Sequence, residues 1–343
     1  MELTYKISVI IPCNHGALEL RRIVHSICSQ SLRPTEIVIV DSSKGALNEC
    51  PVEIYDMCQS HGIDLNYYSC SLALPGDARN IGINIATSEL IALIDVQTIP
   101  KPHWLEVSLK LIANNEVVGV WGATCFSART RFERLVRDGF YGVLPRRTLP
   151  GSVFKREIFF KAGQFIEWVR AGEDTEWMLR LEVLKIRIGY SSTALVDYVG
   201  LSELNTQQLF KKWYRNYTAS RDLPHIYPQK MILWLVLYPL LILIAFNWNY
   251  LIAGWQMESP LYIGHVTKIV VILPCFIYVL LRGVILPFRR GVDLIQLLPF
   301  RFLAITLICF FADSVKFIVF SVPKRLQDFF IKNFQCIVIR RWS

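Results

Sequence analysis

No Cys-x-x-Cys pair occurs among the nine cysteines of this 343-residue chain, and Cys275 and Cys309 fall inside apolar runs. The thiols therefore read as reduced packing residues, not as a zinc or disulfide framework. The six histidines have no metal-ligand spacing. Met1 to Lys6 lacks the basic-then-apolar order of a signal peptide, which leaves the N-terminal half on the cytoplasmic side. No internal repeat and no low-complexity linker is present, so a solenoid or a tethered array is excluded. Basic and aromatic residues are not interleaved as a nucleic-acid groove requires, and nucleic acid is set aside as a partner. Acidic residues are scarce in the last third: from Pro224 onward there are 12 Lys/Arg against 4 Asp/Glu, while the first 223 residues hold 25 against 24. Almost all of the net charge of +9 thus sits in the tail.

What is abundant is apolar sequence. Hydrophobic residues make up 53% of the chain and the mean hydropathy is +0.35, too apolar for an ordinary soluble enzyme. Three runs, Met231 to Ala253, Tyr262 to Leu286 and Phe302 to Val322, approach the roughly 20 residues that cross a hydrocarbon core. Basic residues beside such runs point to the anionic cytoplasmic leaflet. Arg289 and Arg290 after the second run place that end inside. The third run is interrupted by Asp313 and Lys316 and preceded by Arg301, and is expected to lie along or re-enter the cytoplasmic face. The chain divides accordingly into a cytoplasmic domain, 1–223, ending in a basic amphipathic helix over about 203–222, and a membrane domain, 224–343, with two or three spans. The location implied is a multi-pass protein of the plasma or inner membrane.

Within 1–223 apolar strands alternate with helical patterns. Ile7 to Ile11 is a β-branched run stopped by Pro12; Leu20, Ile23 and Ile27 have helical spacing; Glu36 to Val40 is the next strand. Apolar runs on both strands imply a parallel βαβ unit, with ligands beyond the strand C-termini. Leu65 to Ser69, a helix over Asp77 to Ala86, a strand over Leu90 to Ile94, a helix over Pro102 to Ile112 and a strand over Val117 to Gly122 continue the pattern, making the fold class α/β.

Gly172-Glu173-Asp174 is the most informative stretch. Taken alone, the acidic pair suits a helix N-terminus, where carboxylates complement the macrodipole. Its company argues for chemistry instead: Asp41 and Asp95 each follow an apolar strand, and Pro75 to Gly82 forms a glycine-marked turn between them. Acidic and glycine-marked loops behind successive strands read as one site, and a paired carboxylate suggests a general base.

Ile7 to Ser43, Pro75 to Leu105 and Gly151 to Leu181 resemble family 2 glycosyltransferases of the GT-A fold, a Rossmann-like nucleotide-diphospho-sugar transferase domain. The resemblance covers about the first 200 residues and rests on order and spacing. It implies that Pro12 and Asn14 sit on the first donor loop, that Asp41 binds the base of the nucleotide, and that Arg79 and Asn80, in the Ala-Arg-Asn-x-Gly helix start, lie near the nucleotide. It also implies that Asp95-Val96-Gln97 takes the place of the family's Asp-x-Asp. There the last aspartate holds a divalent cation, Mg2+ or Mn2+; Gln97 offers only an amide oxygen, so Asp95 is left as a weak metal ligand. By the same resemblance Asp174 is the base of an inverting displacement and Glu173 positions acceptor or base. Partners implied are a nucleotide-sugar donor, a lipid-linked or polysaccharide acceptor, and membrane lipids. The basic aromatic segment Gln207 to Arg221 reads either as an interfacial anchor or as a helix from which Arg215 or Lys212 reaches the departing diphosphate. Two alternatives stay open: a polyprenyl-phosphate glycosyltransferase, which needs a basic pocket near Asp95, and a catalytically silent scaffold of the same fold, motivated by Gln97.

Overall fold

The β-branched run becomes β1 (Ile7–Cys13), buried throughout except at Pro12. Its side chains alternate between two cores: Val9 and Ile11 face one cluster, Ile10 the other. A strand with helices on both faces has no wet side, which is why its sequence is continuously apolar. The computed structural model describes residues 5–14, 17–43, 50–70, 72–115, 117–201, 206–224, 247–251, 254, 256–262 and 266–321.

The amphipathic helix α1 (Ala17–Cys28) leads to β2 (Glu36–Asp41), and α2 (Val52–Ser60) leads to β3 (Asp64–Ser69). Strands β2 and β3 add in parallel on one side of β1. Burial on β3 alternates residue by residue, as on an edge strand with one wet face. After α3 (Pro75–Ile85) the chain crosses back to β4 (Leu90–Leu93), parallel to β1 on its other side. Between β1 and β4 the direction of winding reverses, and a crevice opens at such a switch point beyond the strand C-termini.

The parallel βαβ unit expected for β1 and β2 is present, and beyond β4 the sheet is mixed. After β5 (Thr98–Pro100) and α4 (Trp104–Asn115) come β6 (Gly119–Phe126), α5 (Arg131–Phe140), β7 (Arg146–Lys155) and the short α6 (Ile158–Lys161). Strand β7 inserts antiparallel between β4 and β6. Helix α7 (Glu173–Val183) is followed by β8 (Gly189–Tyr190) and β9 (Val196–Tyr198). The order is β3-β2-β1-β4-β7-β6-β9-β5, with β8 also on β6. An aromatic cluster seats α7: Trp177 is fully buried, stacks on Phe159 at 5.3 Å, meets Phe154 edge-on at 5.2 Å and donates its indole N–H to Gly163 O at 2.9 Å.

Helix α3 lies hard against β1. A methyl at Gly82 would stand 2.4 Å from Ile10 Cγ2, and Ile10 is fully enclosed. Gly82→Ala is therefore expected to lower stability by about 1–2 kcal/mol, overpacking outweighing the roughly 1 kcal/mol gain in helix propensity. Urea melts measure it; an unchanged midpoint would mean that Ile10 can yield.

Helix α8 (Thr206–Ser220) closes the domain, and α9 (Val266–Val279), a π-helical segment (Leu280–Ile285), α10 (Leu286–Arg289), α11 (Leu294–Leu297) and α12 (Arg301–Ser321) follow. The span expected at Met231 to Ala253 lies almost entirely outside the described residues. Among those residues a single helix, Arg301–Phe320, is long and apolar enough to cross a membrane, where two or three had been expected. Its buried residues Ile305, Cys309, Ala312, Val315 and Val319 form one seam, packed on α5, α8 and the π-helical segment. The charges that interrupt its sequence face protein. Arg301 pairs with the fully buried Asp138 of α5, Asp313 accepts from Arg282 Nε at 2.8 Å and Tyr278 O–H at 2.7 Å, and Lys316 lies 5.9 Å over the Tyr217 ring. Leu303, Leu307, Phe310 and Phe311 are left exposed.

Candidate functional site

A cavity of about 390 Å³ opens at the switch point. Pro12, Cys13 and Asn14 line it from the end of β1, Ser42 from the end of β2, and Asp95, Val96 and Gln97 from the loop after β4. Pro75, Ala78 and Arg79 contribute the start of α3, and Arg170 to Asp174 contribute the loop and first turn of α7. Lys212, Arg215 and Asn216 reach it from α8. Residues from six separate segments of the sequence thus share one wall.

The centre is a buried arginine between two carboxylates. Arg79 donates from Nη1 to Glu173 Oε1 at 2.7 Å and from Nη2 to Asp95 Oδ1 at 3.0 Å. The Arg79 and Glu173 side chains are only 6% and 5% exposed. Burial works against the Arg79 charge, yet Asp95 and Glu173 outweigh it and hold its proton more firmly than usual. Glu173 is pushed upward, by burial first, despite the same pair. Both shifts are upward, which favours the charged form of Arg79, with its two carboxylate partners, and disfavours that of Glu173, whose Oε2 is buried with none.

Asp174 occupies the adjoining position on α7. Its Oδ1 accepts from Thr175 N–H at 2.6 Å and Thr175 O–H at 3.2 Å, which fixes the carboxylate's orientation and leaves Oδ2 for other work. The helix can begin here because Gly172 adopts φ +95° at its N-cap. A side chain there meets the left-handed penalty of roughly 1–2 kcal/mol. Gly172→Ala is expected to move the first turn of α7 and cost about that much stability, with a larger proportional loss in any activity that depends on Asp174; unchanged activity and melting would remove this positional role.

The remaining sequence-expected residues are placed as follows. Asp41 is buried beside the cavity, not in its wall; Oδ2 accepts from Tyr67 O–H at 2.7 Å and Oδ1 from Ser43 N–H at 2.9 Å. Burial, and then the bond to Asp41, push the Tyr67 phenol up, so it stays a donor. Asn80 does not reach the cavity. Both its amide atoms are spent on Phe165, donating to its C=O at 2.9 Å and accepting its N–H at 3.0 Å, so it pins α3 to the loop before α7. Asp77 reaches back to Leu74 N–H at 3.0 Å and takes Trp168 N–H at 2.9 Å, holding exposed Trp168 at φ +60°. On α8 the aromatic face packs inward, with Trp213 5.1 Å from Phe140, while Lys212 and Arg215 face the cavity.

A divalent cation meets a poor donor set. Asp95 is engaged by Arg79. The Gln97 Oε1 that stands in for a carboxylate accepts from Tyr198 O–H at 2.8 Å, and a methyl on Gly200 would lie 2.6 Å from it. Among the described residues no three His, Cys, Asp or Glu side chains converge as a metal site. A hard cation needs several oxygen ligands with net negative charge, and the residues present do not fit one held by the protein. Ser42 follows Asp41 in the stretch expected to hold the base, whereas Arg170 was not singled out in the sequence, its one hint being a basic residue just ahead of the Gly-Glu-Asp turn.

Residues 8–168 match the model of glycosyl transferase family 2. The pre-mycofactocin glycosyltransferase of Mycobacterium tuberculosis is 28% identical over 238 residues, covering 64% of this chain and 48% of that protein. An uncharacterised glycosyltransferase of Nostoc sp. is 31% identical over 115 residues, 34% of this chain and 35% of its own. The chain thus spans about half the length of the mycobacterial relatives it matches. A mannosyltransferase from Pyrobaculum calidifontis, solved in complex with GDP-Man and Mn2+, superposes with a TM-score of 0.51 at 15% identity, covering 94% of this chain and 89% of that one. That likeness is one of fold: a mixed α/β sheet of the GT-A type.

Proposed function

Residues 8–168 belong to glycosyl transferase family 2, and from that premise we propose that the chain is an inverting glycosyltransferase using a nucleoside-diphospho-sugar donor. The observation that carries this reading is that Asp174 shares one cavity with the Arg79–Asp95 pair and with Asn14 at the switch point of the sheet. The donor lies along the ends of β1, β2 and β4, with Asp41 and Tyr67 behind its base. An acceptor hydroxyl approaches from the α7 side. Asp174 takes the hydroxyl proton as the acceptor oxygen bonds to the anomeric carbon, and the bond from that carbon to the diphosphate breaks on the opposite face, releasing the nucleoside diphosphate. Glu173, tied to Arg79, keeps the first turn of α7 in register with the donor wall.

The acceptor is lipid-linked or a growing polysaccharide, and the reaction runs at the cytoplasmic face of a membrane. Support comes from the apolar C-terminal third, its basic surplus, and the exposed Leu303, Leu307, Phe310 and Phe311 of α12. Arg301, Asp313 and Lys316 are satisfied against the protein, so α12 can set its apolar flank in lipid without exposing a charge there. A polyprenyl-phosphate acceptor is a second reading, favoured by Arg170, Lys212 and Arg215 near Asp95.

The full chain in detergent is incubated with a panel of nucleotide-sugars. Thermal stabilisation by at least one, and its consumption with a product of inverted anomeric configuration, is the expected result. Undecaprenyl phosphate against lipid-linked glycans as acceptor separates the two readings. No stabilisation and no turnover with any donor would sink both.

A further inference from the structure

A diphosphate leaving group carries concentrated negative charge, and something must neutralise it in a transferase of this kind. The wall of this cavity holds four basic residues, Arg79, Arg170, Lys212 and Arg215, but they are not equivalent. Arg79 is enclosed and committed: its guanidinium fills the space between Asp95 and Glu173, a place where two carboxylates would otherwise attract a cation. Gln97 brings no charge to that place, and its oxygen is taken by Tyr198. Arg170 and Arg215 are different. Both are exposed, neither forms an ion pair among the described residues, and they approach the cavity from opposite elements, the loop before α7 and helix α8. Burial, and after it the nearby Arg170 charge, push the Arg215 guanidinium down. Two guanidinium groups that line one cavity, neither in an ion pair among the described residues, suit an anion bound there.

We propose that nucleoside-diphosphate recognition in this chain is cation-independent, Arg79 serving as the built-in counter-charge of Asp95 while Arg170 and Arg215 together neutralise the diphosphate. The inference rests on the nucleotide-sugar reading and adds the residues and the charge chemistry of leaving-group binding. It assigns a role to Arg170, which no motif marks. A guanidinium suits the role because its planar fork donates two parallel hydrogen bonds to phosphate oxygens, which an ammonium cannot.

Binding of UDP, GDP, ADP, CDP and dTDP to the full chain in detergent is measured by isothermal titration calorimetry, once with EDTA and once with Mn2+. At least one nucleoside diphosphate is expected to bind in EDTA, with affinity altered less than about threefold by Mn2+. Arg170→Ala and Arg215→Ala are each expected to weaken that binding by about tenfold or more, with Arg170→Lys intermediate. Both side chains are exposed, so these variants keep the fold, and an unchanged melting temperature checks it. Binding that requires Mn2+, or that survives both alanine substitutions, overturns the proposal while leaving the nucleotide-sugar reading intact. Failure of all five nucleotides to bind under either condition overturns both.

Discussion

Asp174→Asn is expected to lower kcat by about 10³-fold, within the range of general-base contributions, while nucleoside-diphosphate affinity stays within a few-fold. The amide keeps the shape of the carboxylate and can still accept the Thr175 N–H bond now made at 2.6 Å. It cannot take a proton from an acceptor hydroxyl. Loss in kcat without change in donor binding is the signature of an interaction used only as the proton moves. Steady-state transfer with the identified donor and calorimetry on the same preparation measure both halves. Wild-type turnover in Asp174→Asn would remove the mechanism, whereas loss of nucleotide binding would make Asp174 part of the donor site. Glu173→Gln serves as the contrast. Its oxygen bonded to Arg79 is replaced by an amide oxygen that still accepts, so the effect expected is milder than at Asp174.

Arg79→Ala has the largest effect expected on the fold itself. It strips the counter-charge from Glu173, whose side chain is only 5% exposed, and from Asp95. Breaking a buried pair by removing one partner costs about 3–5 kcal/mol, which for a chain of this size lowers the melting temperature by about 10 °C. Arg79→Lys keeps a charge but can satisfy only one carboxylate well, because an ammonium lacks the fork that reaches both, and it falls in between. Differential scanning fluorimetry in detergent orders the three. Equal melting temperatures would mean that water replaces the guanidinium and that the pair does not hold α3 to α7.

Much of the architecture was legible because the physics that shapes it is local. Strands buried on both faces must be continuously apolar, so Ile7 to Ile11 and Glu36 to Val40 declared themselves, and a crossover between parallel strands needs the helix whose spacing is visible at Leu20, Ile23 and Ile27. Asp95 was found because it ends such a run. The antiparallel insertion of β7 between β4 and β6 was not legible, since Leu90 meets Lys155 and nothing near either residue announces the pairing. Asn80 shows the same limit inside a motif. Its place in the helix start is visible, but its bonds go to Phe165, 85 residues away, so its side chain serves the fold and not the cavity. Charged residues in α12 looked like interruptions of a membrane span; they are docking contacts, because Asp138 and Arg282 wait for them on other elements.

The amino-acid sequence by itself determined the α/β domain, the apolar and basic C-terminal third, and the order of acidic and glycine-marked loops, since each follows from periodicity, burial or spacing within a few residues. Only the tertiary structure decided which side chains share the cavity and in what state. Arg79 sits between Asp95 and Glu173, Tyr198 holds Gln97 from 101 residues away, and Arg170 and Arg215 line the same cavity. The charge state and availability of a polar group depend on what lies within a few ångströms of it, and in a sheet wound outward and back from a switch point those neighbours come from distant parts of the chain.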